Sequence, residues 1–139
     1  FRQRMVNHFR EMLGVRYKLG AENDLGGHVR PKETDCSEVV EVVYASQPLF
    51  RKRMPDGACN QYAFCIKVNG PKPGDLGFMR YWSNKSQKTV WHVGILTERG
   101  TGIHASASRV EVVEDRLAVF TSHHGFIGWG RHPEFIQES

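Results

Sequence analysis

The chain has 139 residues, of which 40% are hydrophobic and 24% charged, and its formal net charge is +4. These values fit one globular domain with its own hydrophobic core, so we expect residues 1–139 to form a single domain. No apolar run approaches the roughly 18 residues that a membrane helix needs, which predicts no membrane span. The basic excess is too small and too scattered to name an anionic partner, and we expect no nucleic-acid binding.

The first predicted element is a helix over residues 2–13, where Met5, Val6 and Phe9 fall on one apolar stripe. Gly14 follows as a helix stop. A short segment bounded by glycines comes next, and a polar loop is expected over residues 21–34. The chain begins with Phe rather than Met, which favours a domain excised or processed from a larger chain.

A second helix is predicted to begin directly after Asp35. Asp35 is a good N-cap residue, and Glu38 three positions later forms a variant of the capping box. Cys36 would then be the first helical residue, and the helix would run to about Ser46, where Pro48 ends it. Its many valines are poor helix formers, so the prediction depends on the cap and on burial.

The position of Cys36 suggests a nucleophile. Free N–H groups and the positive end of the helix dipole favour an anion at the first helical residue, so the thiol would lose its proton more readily there. The thiolate is the reactive form of cysteine. The alternative is an inert, buried thiol in a core-facing helix, since such cysteines are common.

The chain has three cysteines, and their spacing contains no metal-type doublet. Cys59 and Cys65 would either form a disulfide in an oxidising compartment or both remain reduced in the core, and we favour the reduced state. Cys36 is free under either interpretation. No structural zinc spacing is present either, so no metal site is expected.

The second half of the chain reads as strands separated by turns. Before it, a short helix is predicted around residues 60–66. The predicted strands cover residues 76–82, 90–97, 101–107, 109–113 and 126–131, with a helical turn over 116–120 before the last one. Helices followed by an antiparallel sheet define an α+β fold.

Two histidines on consecutive strands could serve the thiol. In an alternating strand His92 shares a face with Gly94, which leaves that face open for a substrate or for the cysteine helix. If the two strands pair in an even register, His104 shares the same face and can hold the second nitrogen of His92. A cysteine nucleophile needs such a base, and the base needs a third group to orient it.

With these pieces in order, the sequence resembles the NlpC-type cell-wall cysteine peptidases, a compact branch of the papain-like fold. The resemblance covers roughly residues 3–115. The matching motifs are Gly14-x-x-Tyr17, Asp35-Cys36-Ser37, Pro73-Gly74-Asp75-Leu76, His92-Val93-Gly94-Ile95 and Ile103-His104-Ala105.

The resemblance implies N-terminal helices packed on a C-terminal antiparallel sheet, with Cys36 as nucleophile, His92 as base and His104 as third member. It also implies that Tyr17 places its hydroxyl beside the nucleophile. Asp35 and Ser37 would line the region that receives the acyl side of the substrate. The segment Pro73–Leu76 would be structural.

The activity implied by the resemblance is hydrolysis of amide bonds in peptidoglycan stem peptides, often after γ-linked D-glutamate, without metal or cofactor. The location would be extracytoplasmic: the periplasm, the cell wall, or a phage or secretion particle. Two alternatives stay open. One is an acyltransferase or other amidase on the same fold, and the other is a catalytically idle cell-wall-binding domain of a phage or secretion machine.

Two departures from the family pattern bear on substrate preference. Glu38 stands where the family commonly has Gly after Asp-Cys-Ser, and Leu19-Gly20-Ala21-Glu22 stands where Gly-Gly is usual. The Glu38 carboxylate would oppose ionisation of the thiol or attract a substrate amine, or it would act as a capping residue.

Overall fold

The computed structural model describes residues 2–21, 31–47, 52–80, 90–122 and 125–138. Most of the predicted polar loop over 21–34, and the last two residues of the predicted strand over 76–82, lie outside these ranges. Within the described ranges, no helix combines the length and the apolar composition that crossing a membrane requires.

The described residues form four α-helices, namely α1 (Arg2–Glu11), α2 (Cys36–Ala45), α3 (Ala58–Phe64) and α4 (Leu117–Thr121), and a 3₁₀ helix (Pro133–Glu138). The helices predicted over residues 2–13 and from Cys36 to about Ser46 are confirmed. The valine-rich α2 forms because Asp35 caps it and because every residue from Cys36 to Tyr44 is buried. The short helix α3 ends earlier than predicted, since Cys65 has an extended backbone and Ile66 starts a strand.

Eight strands form one sheet, in the order β2-β1-β7-β6-β5-β4-β8-β3. Their bounds are β1 (Arg16–Tyr17), β2 (Glu33–Thr34), β3 (Ile66–Val68), β4 (Leu76–Arg80), β5 (Val90–Leu96), β6 (Thr101–Ser106), β7 (Glu111–Arg116) and β8 (Phe126–Arg131). All pairings are antiparallel except that between β1 and β2. The α+β class with helices on a mainly antiparallel sheet is therefore confirmed.

The sequence prediction was wrong about part of this sheet. The short strands β1, β2 and β3 were not predicted. The strand predicted over 109–113 is displaced, because residues 107–110 form a turn in which Val110 adopts a φ of 62°. The strand β7 then continues to Arg116, three residues beyond its predicted end, through Glu114 and Asp115.

Helices α1 and α2 cover one face of the central strands β5 and β6. Buried side chains of this core include Phe9, Val40, Tyr44, Phe78, Ile95 and Ile103. The Tyr44 hydroxyl donates a 2.7 Å hydrogen bond to the carbonyl of Gly74, and the fully buried Asp75 carboxylate is held by Arg2 and Arg131. These contacts give the predicted structural role to the segment that starts β4.

The opposite face of the same strands is closed by Phe120 of α4, which is fully buried. Its ring lies over Gly77, Gly94 and Gly102, where an added Cβ would come within 2.7 Å, 2.6 Å and 2.6 Å of ring atoms. The space beside Gly94 is thus filled by Phe120. The expectation that this space is open for a substrate or for the cysteine helix is wrong.

Gly102→Ala is expected to destabilise the fold by about 1–3 kcal/mol, because the new methyl group would overlap the Phe120 ring. Gly70→Ala is the matched control, since an added Cβ there meets nothing within 4 Å. Chemical denaturation of both variants measures the difference. Adding Phe120→Leu to Gly102→Ala should cost less than the sum of the two single changes. Equal stability of the Gly102 and Gly70 variants would contradict this packing.

Candidate active site

The N-terminus of α2 is organised by the carboxylate of Asp35, as the capping pattern predicts. Its Oδ1 accepts the backbone N–H of Glu38 at 2.8 Å and the hydroxyl of Ser37 at 3.2 Å. Its Oδ2 accepts the N–H of Gly20 at 3.1 Å, which ties the turn after β1 to the helix. Cys36 is therefore fixed at the first helical position.

The residues expected to bind substrate lie on the segments around Cys36. Tyr17 pairs with Thr34 where β1 and β2 run parallel, and Thr34 lies two residues before Cys36. The Tyr17 side chain is half-buried. Ser37 is buried. The two strands thus bring Tyr17, Asp35 and Ser37 to the same end of α2, although they come from separate parts of the chain.

Gln61 of α3 donates a hydrogen bond to the first turn of α2, a contact that the sequence pattern did not reveal. The side chain is fully buried, and its amide donates hydrogen bonds to the carbonyls of Ser37 at 3.0 Å and Pro55 at 3.1 Å. These contacts join α3, the loop before it and the first turn of α2. No local pattern could indicate them, because Gln61 and Ser37 are far apart in the sequence.

The Cys36 thiol is buried against β5, with 8% of the residue exposed. Burial, followed by the nearby Asp35 carboxylate, raises the pKa of Cys36 to about 12. Hydrogen bonds from the backbone N–H groups of Val93, Ser37 and Cys36 lower the pKa but do not compensate. The expectation that the helix terminus makes this thiol ionise readily is thus wrong for the resting protein, and the thiol needs a base.

His92 and His104 contact each other directly. His92 Nε2 and His104 Nδ1 are joined by a 2.7 Å hydrogen bond, and both residues are buried. Strands β5 and β6 pair at Ile95–Ile103 and Leu96–Gly102, so continuing that register places His104 opposite Gly94, on the face of His92. The even register and the contact between the two rings are as predicted. His92 also directly precedes Val93, whose N–H reaches the Cys36 sulfur.

Asp115 and Arg109 extend this pair, and the sequence did not indicate either residue. His104 Nε2 lies 2.7 Å from Asp115 Oδ2. Arg109 donates to both carboxylate oxygens of Asp115, at 2.7 Å to Oδ1 and through a shorter contact to Oδ2. Asp115 was missed because the strand was predicted to end at Val113, whereas β7 runs to Arg116 and includes Asp115.

The ring of Phe120 packs against the ring of His104. Its ring centroid lies 5.2 Å from that of His104, which is only 2% exposed. The three glycines on β4, β5 and β6 make room for this ring. The position of His104 is therefore set by packing as well as by hydrogen bonds.

One group of carboxylates in the described residues has the spacing of a metal site: Glu38, Glu41 and Asp56, with one oxygen of each within 4.8 Å of the others. Burial is the main factor that raises the pKa of Glu41 to about 9, and Glu38 and Asp56 add to it. At neutral pH Glu41 is therefore protonated. Glu38, which departs from the family pattern, belongs to this cluster and lies on the first turn of α2.

Glu41→Gln should make the protein more stable at pH 8 than the wild type, because Gln keeps the shape without a charge. The folded pKa of about 9 exceeds the ordinary 4.5, so the folded state holds a proton that the unfolded state has lost. Wild-type stability therefore falls as the pH rises from 4.5 to about 9. We expect Tm to rise by at least about 3 °C at pH 8, and the gap to close towards pH 4.5.

The exposed Glu111 provides the matched control, since Glu111→Gln removes a carboxylate from the surface. Its Tm should follow the wild type across the same pH range. A Glu41→Gln gap that does not change with pH would contradict the raised pKa.

The other two cysteines do not form a disulfide. Cys59 is exposed, Cys65 is buried, and all three thiols are free. The expected reduced state is confirmed, but the placement of both residues in the core is wrong for Cys59.

The comparison with known families identifies the class of this protein. The model of the NlpC/P60 family matches residues 14–125, so the chain belongs to the NlpC/P60 family. Domains of this family have the papain-like fold, which confirms the fold expected from the sequence motifs. Its members are generally peptidoglycan-hydrolysing enzymes. No curated protein sequence matches the chain significantly.

Solved structures show the same fold at low sequence identity. The chain is similar to NlpC1 from Trichomonas vaginalis, with 23% identity, a TM-score of 0.75, and coverage of 94% of this chain and 44% of that one. An NlpC/P60 family protein from Bacillus cereus ATCC 10987 is 19% identical, with a TM-score of 0.76 and coverage of 95% of this chain and 40% of that one. The peptidoglycan hydrolase RipB from Mycobacterium tuberculosis is 21% identical, with a TM-score of 0.67 and coverage of 91% of this chain and 61% of that one. The chain spans less than half the length of the first two proteins.

Proposed function

We propose that this domain is a cysteine peptidase that hydrolyses amide bonds in peptidoglycan stem peptides through a thioester intermediate. The observation that carries the proposal is the buried series of hydrogen bonds from His92 through His104 to Asp115, with His92 directly before Val93, whose N–H donates to the sulfur of Cys36. A protonated thiol at a helix N-terminus needs a base, and we assign that role to His92. Family membership supports peptidoglycan as the substrate.

In the proposed reaction His92 takes the proton of Cys36 while the sulfur attacks the amide carbonyl carbon. The backbone N–H of Cys36 and a second donor stabilise the oxyanion. The C–N bond then breaks, the amine leaves with the proton held by His92, and a thioester remains. Water attacks the thioester with His92 as base, which releases the carboxylic acid and restores the thiol.

The acyl side of the substrate would lie along Tyr17, Asp35 and Ser37. The Asp35 carboxylate already accepts three hydrogen bonds from the protein, so we assign it the task of shaping this region. Such a substrate implies an extracytoplasmic site of action, in the periplasm, the cell wall, or a phage or secretion particle. The longer chains of the similar structures support a larger parent protein.

Cys36→Ala should abolish release of stem-peptide fragments, because no other group can form the thioester. Digestion of purified peptidoglycan, followed by mass spectrometry of the fragments, measures the loss and identifies the bond. Cys59→Ala is the control, since this exposed thiol lies outside the site, and it should keep full activity. Turnover by the Cys36→Ala variant would rule out the thiol mechanism.

The two histidines should differ in their tolerance of substitution. His92→Ala is expected to remove nearly all activity, since His92 moves the proton itself. His104→Asn should keep measurable turnover, because an amide oxygen can still accept from His92, whereas His104→Ala should fall much further. The measurement is kcat/KM on one stem-peptide substrate. Wild-type activity in the His104→Ala variant would show that His104 has no part in the reaction.

A further inference from the structure

The protonation state of Asp115 allows the protons in the hydrogen bonds between Asp115, His104 and His92 to be assigned. Asp115 is 8% exposed, and Arg109 reaches both of its oxygens from the turn that precedes β7. Arginine is always protonated and only donates. These hydrogen bonds, together with that from His104, hold the pKa of Asp115 at about 2, so the carboxylate is ionised at neutral pH and can only accept.

The turn that carries Arg109 is itself held in a strained conformation. Val110, the next residue, has a φ of 62°, which a β-branched side chain rarely adopts. Its carbonyl accepts the N–H of Tyr17 at 2.8 Å, and the N–H of Arg109 donates to the hydroxyl of Ser106 at 3.2 Å. The guanidinium is thus placed over Asp115 by a turn that the neighbouring strands hold in position.

Because Asp115 accepts, the proton in the 2.7 Å contact with His104 belongs to His104 Nε2. Arg109 already balances the charge of Asp115, so a second positive charge on the buried His104 would be uncompensated. A neutral His104 with its proton on Nε2 offers a lone pair at Nδ1. The proton in the 2.7 Å contact between the rings therefore belongs to His92 Nε2.

We propose that Asp115, held by Arg109, sets the tautomers of both histidines and so makes Nδ1 of His92 the atom that accepts the thiol proton. Asp115 and Arg109 are positioning residues, since they act through His104. The proposal rests on the proposed function, which requires a base at His92, and it names the atom and the residues that prepare it. In the opposite tautomer Nδ1 of His92 would carry a proton, and it could not deprotonate Cys36.

The tautomers can be read directly by long-range ¹H–¹⁵N NMR of the protein labelled at histidine. The Cys36→Ala variant is used, so that no thiol proton can move onto His92. At pH 7.5 both rings are expected to carry a single proton on Nε2. A proton on Nδ1 of His92 would overturn the proposal, whether or not the wild type cleaves peptidoglycan.

Replacing Asp115 by Ala in the same background should reverse both tautomers. Arg109 would then face His104 Nε2 directly, and a cation that only donates favours a lone pair there. The proton of His104 moves to Nδ1, and the proton of His92 follows to Nδ1. Glu114→Ala, one residue earlier on β7 and paired with Arg10 and Thr101, is the matched control and should leave both rings unchanged.

With Cys36 present, Asp115→Ala should lower kcat/KM by at least about 100-fold, as loss of tautomer control does in other triads. Unchanged tautomers in folded Asp115→Ala protein would overturn the proposal. An inactive wild type with the expected tautomers would instead contradict the proposed function and leave this inference standing.

Discussion

A series of hydrogen bonds runs from Arg109 through Asp115 and His104 to His92 and joins three strands. The surrounding structure buries His92, His104 and Asp115 and fixes the register of the strands that carry them. Asp115 lies on β7, His104 on β6 and His92 on β5, so each contact depends on how neighbouring strands are paired. A slip of one residue in any of them would turn a member of the chain to the opposite face. The Phe120 ring packs against His104, and Gly77, Gly94 and Gly102 leave the space for that ring.

The same burial that protects the chain also determines the state of the nucleophile. A helix N-terminus favours a thiolate, but for Cys36 loss of solvent outweighs that effect, and the thiol stays protonated. Catalysis by such a cysteine depends on the base rather than on a preformed anion. In the proposed reaction Asp115 and Arg109 therefore influence the thiol through His104 and His92.

Sequence patterns predicted the parts of this site that obey local rules. The cap at Asp35 placed Cys36 at the start of a helix, and the alternation of side chains along the strands placed His92 and His104 on one face. Gln61 was missed because its contact with Ser37 joins segments that are 24 residues apart in the sequence. Asp115 and Arg109 were missed because the strand was predicted over residues 109–113, whereas β7 covers Glu111–Arg116 and Arg109 lies in the turn before it. The direction of the Cys36 pKa was also missed, since it depends on burial, which no local pattern gives.

In the proposed reaction the sulfur of Cys36 carries the acyl group of the substrate as a thioester. The most direct measurement is intact-protein mass spectrometry of the enzyme, quenched in acid within its first turnovers on a stem peptide. The expected result is a transient mass increase equal to the acyl fragment, located on Cys36 and removed by hydroxylamine. Product formation at the full rate by protein fully alkylated at Cys36 would contradict it.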